Sequence, residues 1–390
     1  MIGWSKMGLG DTATFHNGYA FKTAEWSTSG KEIIRIQNLT KGSAQINYFE
    51  GEIADKYKVR KGDILISWSG SLGVYEWHGE DAWLNQHLFK VDFNKANLDK
   101  SFFTYLISHS LKKLEAQVHG ATMKHITKKN FDSFPVNLPP IDQQKKIAAI
   151  LDAADAYRQK TKALIEKYDK LTQSLFLDMF GDPVTNPKGW EVKTLSDFIK
   201  SLNTGVSVNS TDKKYTKGNI GILKTSCVYT GTFRDQEAKV IREDEYGRMK
   251  LNPTADSIII SRMNTTELVG KSAYISRDYN ELYLPDRLWL TEKGELSHNT
   301  RWLSHSLSFK SFRNEISKIS SGTSGSMKNI SKKNYLNLSM IYPALELQNQ
   351  FAERVKAIEA QKAQAEASLA QAEDLFNSLL QRAFKGELTS

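Results

Sequence analysis

The chain has 390 residues, a formal net charge of +9, 40% hydrophobic and 25% charged residues, and one cysteine, Cys227. This composition excludes a disordered chain and an internal disulfide framework, and it fits a globular protein of the reducing cytoplasm. No run of about 18 apolar residues occurs, and the start lacks a basic stretch followed by an apolar one, so neither a membrane span nor a secretory signal is expected.

Short apolar runs bounded by turn residues predict strands in EIIRIQNL (32–39), GDILISWSG (62–70) and HLFKVDF (87–93). Apolar residues at helical spacing, Phe102, Tyr105, Leu106, Leu111 and Leu114, predict an amphipathic helix over 101–118. After Pro139-Pro140 a heptad row begins: Ile147, Ile150, Ala154, Tyr157, Thr161, Leu164, Tyr168, Leu171 and Leu175. That alternation of three and four predicts a long helix with a coiled-coil seam, stopped by Gly181. The second half repeats the order. GILKTSCV (221–228), ADSIIISRMN (255–264) and DRLWLTE (286–292) answer the three strands, and RWLSHSLSFKSFRNEI (301–316) answers the helix. A second heptad row, Phe351, Val355, Ile358, Ala365, Leu369, Ala372, Phe376 and Leu379, predicts a rod from about Glu346 to Phe384.

The repeat is visible residue by residue. MKHITKKNFDSFPVNLPPIDQQKKIA (123–148) returns, rewritten, as MKNISKKNYLNLSMIYPALELQNQFA (327–352). The fold class that follows is α+β: two mixed α/β globular heads with mainly β cores, separated by two long antiparallel coiled-coil helices in a pseudo-twofold internal repeat. The expected domains are 1–140 and 183–342 for the heads, and 141–182 and 343–390 for the helical spacers. Bulky Tyr157 and Tyr168 on one seam against Ala365 and Ala372 on the other suggest that the rods pack on each other. Each rod serving its own domain, or pairing with a second copy of the chain, is the plainer alternative.

Charge is distributed unevenly. Residues 183–342 hold 24 Lys+Arg against 16 Asp+Glu, residues 1–140 hold 17 against 14, and the spacers are balanced or slightly acidic. Basic heads on neutral rods fit a polyanion such as double-stranded DNA. Within the heads, the pattern singles out Lys124, His125, Lys128 and Lys129, repeated as Lys328, Asn329, Lys332 and Lys333. Both sets read as polar loops beside small residues, suited to a phosphate backbone or simply solvated. Ser67, Trp68 and Ser69 follow a strand, as do Arg262 and Asn264, and side chains at a strand end can reach base edges. Trp68 as ordinary core packing is the bland reading. Asn85, Gln86 and His87, with Arg287 in the second half, form a third pair of candidates. Asn17-Gly18-Tyr19 and Asn203-Thr204-Gly205 also match each other, as tight turns or as contacts.

Catalytic motifs are missing from the sequence. There is no Walker loop, no Asn/Asp-Pro-Pro-aromatic motif for methylating an amino group, and no Cys/His spacing for a metal. Two basic heads without chemistry of their own read as a device that directs another protein's chemistry. An enzyme with unrecognised catalytic residues, or a coiled-coil structural protein, are the alternatives.

At these residues the chain resembles the specificity subunit of type I restriction–modification systems. The resemblance rests on the internal repeat, GDILIS (62–67), LNQHLF (84–89), the 123–148 segment, LFLDMFGD (175–182) and LLQRAFKGEL (379–388). It implies that each head is a target recognition domain for one half of a split DNA site. The helices would space the heads and dock two methyltransferase subunits, with restriction subunits added. It also implies that this chain is non-catalytic and binds no cofactor. S-adenosylmethionine, ATP and magnesium would belong to the partner subunits. Lys145-Lys146 and Asn349-Gln350 depart from the Glu-Gln common in that family, while Gln144 and Gln348 stay in register.

Overall fold

The computed structural model describes residues 3–40, 45–117, 126–322 and 327–388. The chain divides into two compact units, Met1–Ala163 with Ala365–Ser390, and Leu164–Gln364. The division falls inside both long helices, so each unit comprises a head and a half of each rod.

In the first unit the strand Ile64–Ser67 lies inside a four-stranded sheet, with Leu88–Asp92 on one side and Gly73–Glu76 on the other; Thr14–Asn17 completes it. All four residues of Ile64–Ser67 are buried. Ile64 and Ile66 face a core with Phe15, Phe102 and Phe103, while Leu65 faces another with Ile34, Leu84 and Leu88. A strand covered on both faces reads as a continuous apolar run because successive side chains point opposite ways. The second unit repeats the arrangement. Ser257–Ser261 sits between Leu288–Lys293 and Ser272–Ile275, and Ile199–Thr204 forms the edge. Ile258 and Ile260 face Trp302, and Ile259 faces Leu223 and Leu282.

Each unit has a second four-stranded sheet built on a parallel pair, Ile33 beside Trp83 in the first and Gly221 beside Leu282 in the second. The predicted strands 32–39 and 221–228 are only half strand. Lys31–Ile34 gives way to a short helix, Ile36–Thr40, and Gly221–Leu223 to a 3-10 turn, Thr225–Val228. The head helix spans Lys100–Gln117 in the first unit. In the second unit the expected single helix is two, Thr300–Ser308 and Lys310–Lys318, because Phe309 is extended and stacks on Phe176 at 5.1 Å.

The rods are single helices, Ile141–Phe180 and Leu345–Phe384. Gly181 and Gly386 follow with positive φ, the conformation that lets the chain leave a helix without a Cβ clash. Within each unit the two helices run antiparallel. In the first, Lys162 pairs with Glu373 at 3.2 Å and the Arg158 guanidinium lies over the Phe376 ring at 4.3 Å. In the second, Lys362 pairs with Asp169 at 2.6 Å and Phe176 meets Phe351 edge-on at 5.5 Å.

Each head rests on the start of the helix that follows it and on the end of the other. The first core contains Ile147 and Leu151 with Phe376, Leu380 and Ala383; the second contains Phe351 and Val355 with Phe176 and Phe180. Two buried glutamines fix these starts. Gln144 accepts from the Asp99 backbone N–H at 2.9 Å and donates to the Asn97 and Pro139 carbonyls. Gln348 accepts from the Asn299 N–H at 2.9 Å and donates to the Pro343 carbonyl at 2.7 Å. Arg301 adds an ion pair with Glu359, and His305 lies 3.8 Å from the same carboxylate. Burial opposes ionising Glu359, yet His305 and Arg301 hold its carboxyl below the usual range.

The second rod buries Phe351, Val355, Ala365, Ala372 and Phe376, with Ile358, Leu369 and Leu379 half-buried. The first rod differs from expectation. Ile147 and Thr161 are buried and Ala154, Tyr168 and Leu175 half-buried, but Ile150, Tyr157, Leu164 and Leu171 are exposed. Their places in the seam are taken by Leu151, Arg158, Ile165 and Thr172, which are buried or half-buried. Two adjacent rows repeat every seven residues, and the apolar one faces outward. Tyr157 therefore does not interdigitate with an alanine of the other rod.

Candidate nucleic-acid interface

In each head three segments distant in sequence meet beside the end of the central strand. In the first, Ser67 ends the strand, and its hydroxyl donates to the Ser71 carbonyl at 2.6 Å, closing the turn around Gly70. The Trp68 carbonyl accepts from the Ile126 N–H at 3.2 Å, which brings the lysine segment to this turn. The Trp68 ring stacks on Phe89 at 5.6 Å and lies 6.0 Å from His87, whose Nδ1 is 3.5 Å from the Ser69 hydroxyl. In the second head the Arg262 carbonyl accepts from the Ile330 N–H at 3.0 Å, and the Arg262 N–H donates to the Arg287 carbonyl at 3.1 Å. Met263 and Asn264 pair as a short strand with Asn329 and Lys328.

The lysine pairs lie on helices, not loops. Thr127 caps Lys128–Asp132 and Ser331 caps Lys332–Leu336, each hydroxyl accepting from an asparagine N–H, that of Asn130 or Asn334. Phe131 and Tyr335, fully buried, anchor the two short helices in their cores. The lysines sit on the first turn because the aromatic must point inward three residues after the first of them. Lys128, Lys129, Lys332 and Lys333 are exposed. Lys128 also pairs with Asp132 at 2.8 Å. Lys328 donates to the Gly322 carbonyl at 2.8 Å, and Asn329 is half-buried. Lys124 and His125 lie outside the described residues.

The sequence candidates divide by accessibility. Gln86, His87 and Arg287 are exposed. Arg262 is half-buried, and its Nε is buried without a hydrogen-bond partner among the described residues. Ser67, Ser69, Asn85 and Asn264 are buried. Asn264 donates to the Tyr229 hydroxyl at 2.7 Å and accepts from the Thr265 N–H, and the Asn85 side chain accepts from the His87 N–H at 3.4 Å. These four shape the turns that carry the accessible groups. The matched Gly18 and Gly205 have a packing role: a Cβ would lie 2.2 Å from the Asn85 carbonyl oxygen and 1.6 Å from that of Leu284.

The three segments are distant in the sequence, which does not show that they converge. The signal for it was the buried aromatic that follows each lysine pair. Among the described residues no group of three or more His, Cys, Asp or Glu could hold a metal, and no helix is long and apolar enough to cross a membrane.

A family model for the type I restriction modification DNA specificity domain matches the chain twice, over residues 1–167 and 187–373. The EcoBI specificity subunit of Escherichia coli is 24% identical, over 99% of this chain and 86% of that protein. The EcoKI specificity subunit of Escherichia coli K12 is 25% identical, over 100% and 90%. The crystal structure of the type I restriction–modification S subunit from M. genitalium superposes with a TM-score of 0.58 at 16% identity, covering 98% of this chain and 96% of that one, a likeness of fold. With the model matching each repeat and nearly the whole chain covered, this protein belongs to the type I restriction–modification DNA specificity family.

Proposed function

We propose that the chain is the DNA sequence-specificity subunit of a type I restriction–modification complex, itself without catalytic activity. Each head reads one half of a bipartite, asymmetric site. The rods space the heads and dock two methyltransferase subunits, to which restriction subunits add. S-adenosylmethionine, ATP and magnesium are used by those partners.

The observation that carries this reading is the repeated convergence, in both heads, of a strand-end turn, a second strand start and a capped lysine pair. Lys128, Lys129, Lys332 and Lys333 present charge to phosphates, which fixes position without reading sequence. Gln86 and His87 in the first head, and Arg262 and Arg287 in the second, hold groups suited to base edges. An arginine fork matches the O6 and N7 of guanine, and a glutamine amide matches adenine.

The test is the purified chain with labelled S-adenosylmethionine and DNA, with and without the modification subunit. Methyl transfer is expected only with the partner present, at a motif of two defined halves around an undefined gap. Transfer by the chain alone would overturn the reading.

A further inference from the structure

The turn that leaves the central strand is longer in the second head than in the first. In the first head five residues, 68–72, separate Ser67 from Gly73, its partner on the next strand. In the second head nine residues, 262–270, separate Ser261 from Lys271, whose carbonyl accepts from the Ser261 N–H at 2.8 Å. A lysine therefore stands where the first head has a glycine. Thr265, Thr266 and Glu267, at the tip of the longer turn, are exposed.

The longer turn is docked on the helix Lys310–Lys318. Arg313 donates through Nη2 to the Glu267 carbonyl at 3.1 Å. Gly270, at φ 70°, lies flat on the same helix: a Cβ there would be 2.5 Å from Cγ2 of Ile316 and 2.9 Å from Nη1 of Arg313. That Nη1 is buried and has no hydrogen-bond partner among the described residues. Arg313 and Lys271 are both half-buried, and neither forms an ion pair among the described residues. Glu267 gives Arg313 its carbonyl and not its carboxylate. Burial, and then the Arg313 guanidinium, hold the Lys271 ammonium below its usual range, and burial lowers Arg313 as well. The neighbouring Tyr335 phenol, pushed up by burial, stays neutral and supplies no counter-charge.

Two partly desolvated cations that repel each other, with no carboxylate to pair them, cost stability until an anion arrives. Their position indicates which anion. The Gly270 N–H donates to the Ser261 carbonyl at 2.6 Å, so the pair lies beside the strand end where Arg262, Asn264 and the segment of Lys328 and Asn329 converge. A DNA phosphate keeps its charge at every physiological pH and offers acceptor oxygens to an ammonium.

We propose that Lys271, backed by Arg313, forms a phosphate-binding site in the second head that the first head, with Gly73 in that place, does not repeat, and that it takes a backbone phosphate beside the half-site of the second head. This rests on the reading of the chain as a DNA specificity subunit. Lys271 meets the phosphate. Arg313 holds the turn in place and adds its charge from beneath. The contact strengthens binding at that half-site without reading sequence.

The full chain with its modification subunit is measured on a duplex carrying its methylated motif, at several salt concentrations, beside Lys271→Gln and Lys271→Arg. Lys271→Gln is expected to weaken binding about three- to tenfold at ~0.1 M salt and to flatten the plot of log affinity against log salt by about one unit, the share of one phosphate. Lys271→Arg keeps the charge and should keep the slope, and the motif is unchanged in both. In a second arm, inorganic phosphate replaces chloride at constant ionic strength while thermal unfolding of the full chain is followed. Phosphate should raise the midpoint of the parent and of Lys271→Arg, and that of Lys271→Gln less, because a ligand held by the native state alone stabilises it. A parental salt slope in Lys271→Gln would overturn the DNA contact; if that variant has nevertheless lost its response to phosphate, the site takes a free anion instead. An undiminished response to phosphate in Lys271→Gln would overturn the site. A parent complex that prefers no defined motif would overturn the specificity reading itself, an outcome visible before any variant is made.

Discussion

Arg262 stands half-buried, its Nε out of water and without an acceptor among the described residues, one residue past the strand that the second head is built around. Under the proposed function, this guanidinium is a candidate for an acceptor on a base edge. Arg262→Ala should relax sequence preference in one half of the methylated motif only, at a loss of ~1–3 kcal/mol if the group reads a guanine. Lys332→Ala with Lys333→Ala should behave differently. Removing a cation that faces phosphate weakens binding to all sequences alike and lowers the salt slope by about one unit for each phosphate no longer neutralised. Binding isotherms at several salt concentrations, beside methylation-site sequencing, separate the two roles. A relaxed motif in the lysine variant would reassign those side chains to base readout.

Helices and their caps carry the next scale. Gln144 and Gln348 join a rod to its own head through one accepted and one or more donated hydrogen bonds, all with backbone partners. Gln348→Ala would strand the Asn299 N–H and the Pro343 carbonyl, and a loss of ~1–3 kcal/mol in unfolding free energy is expected. A loss no larger than that of a surface substitution would show that water replaces the amide. The proposed spacing role would make the rods a ruler. Seven residues keep a heptad seam in phase and add about 10 Å of helix. Matched insertions, one after Leu171 and one in the facing stretch marked by the Asp169–Lys362 pair, should widen the undefined gap by about three base pairs. An active variant with the parental gap would leave the helices a docking role alone.

Across the whole chain, one unit has been used twice, and each head borrows core from both rods. Exchanging residues 183–342 for the corresponding head of a relative should therefore change one half of the target motif and leave the other intact. The chimera folds well only if the incoming head keeps large apolar groups where Trp302 and Phe309 meet Phe176 and Phe180, beside Phe351. Site mapping together with thermal unfolding tests both halves of this expectation. A motif altered in both halves would mean that the heads do not read independently.

The amino-acid sequence by itself determined the duplication, the fold class and the rods, because those depend on local pattern: matched segments, apolar periodicity, and glycines at helix ends. The apolar stretches GDILIS and SIIIS announced strands for the same reason, but not that both of their faces would be buried. What covers each face was decided by tertiary structure. Arg158 and Thr172 occupy the seam of the first rod, where the Arg158 guanidinium covers the Phe376 ring, while the more apolar Tyr157 and Leu164 face water. A reading by hydrophobicity alone picks the wrong one of two adjacent heptad rows, since both repeat every seven residues and only the facing helix distinguishes them. The candidate interface was legible as residue types but not as a place. Backbone hydrogen bonds from Ile126 to Trp68 and from Ile330 to Arg262 assemble it, and pairings between distant segments leave no trace in local composition. Asn85 and Asn264 show the converse, since a polar side chain at a strand end serves DNA or its own turn according to burial, which the folded chain alone settles.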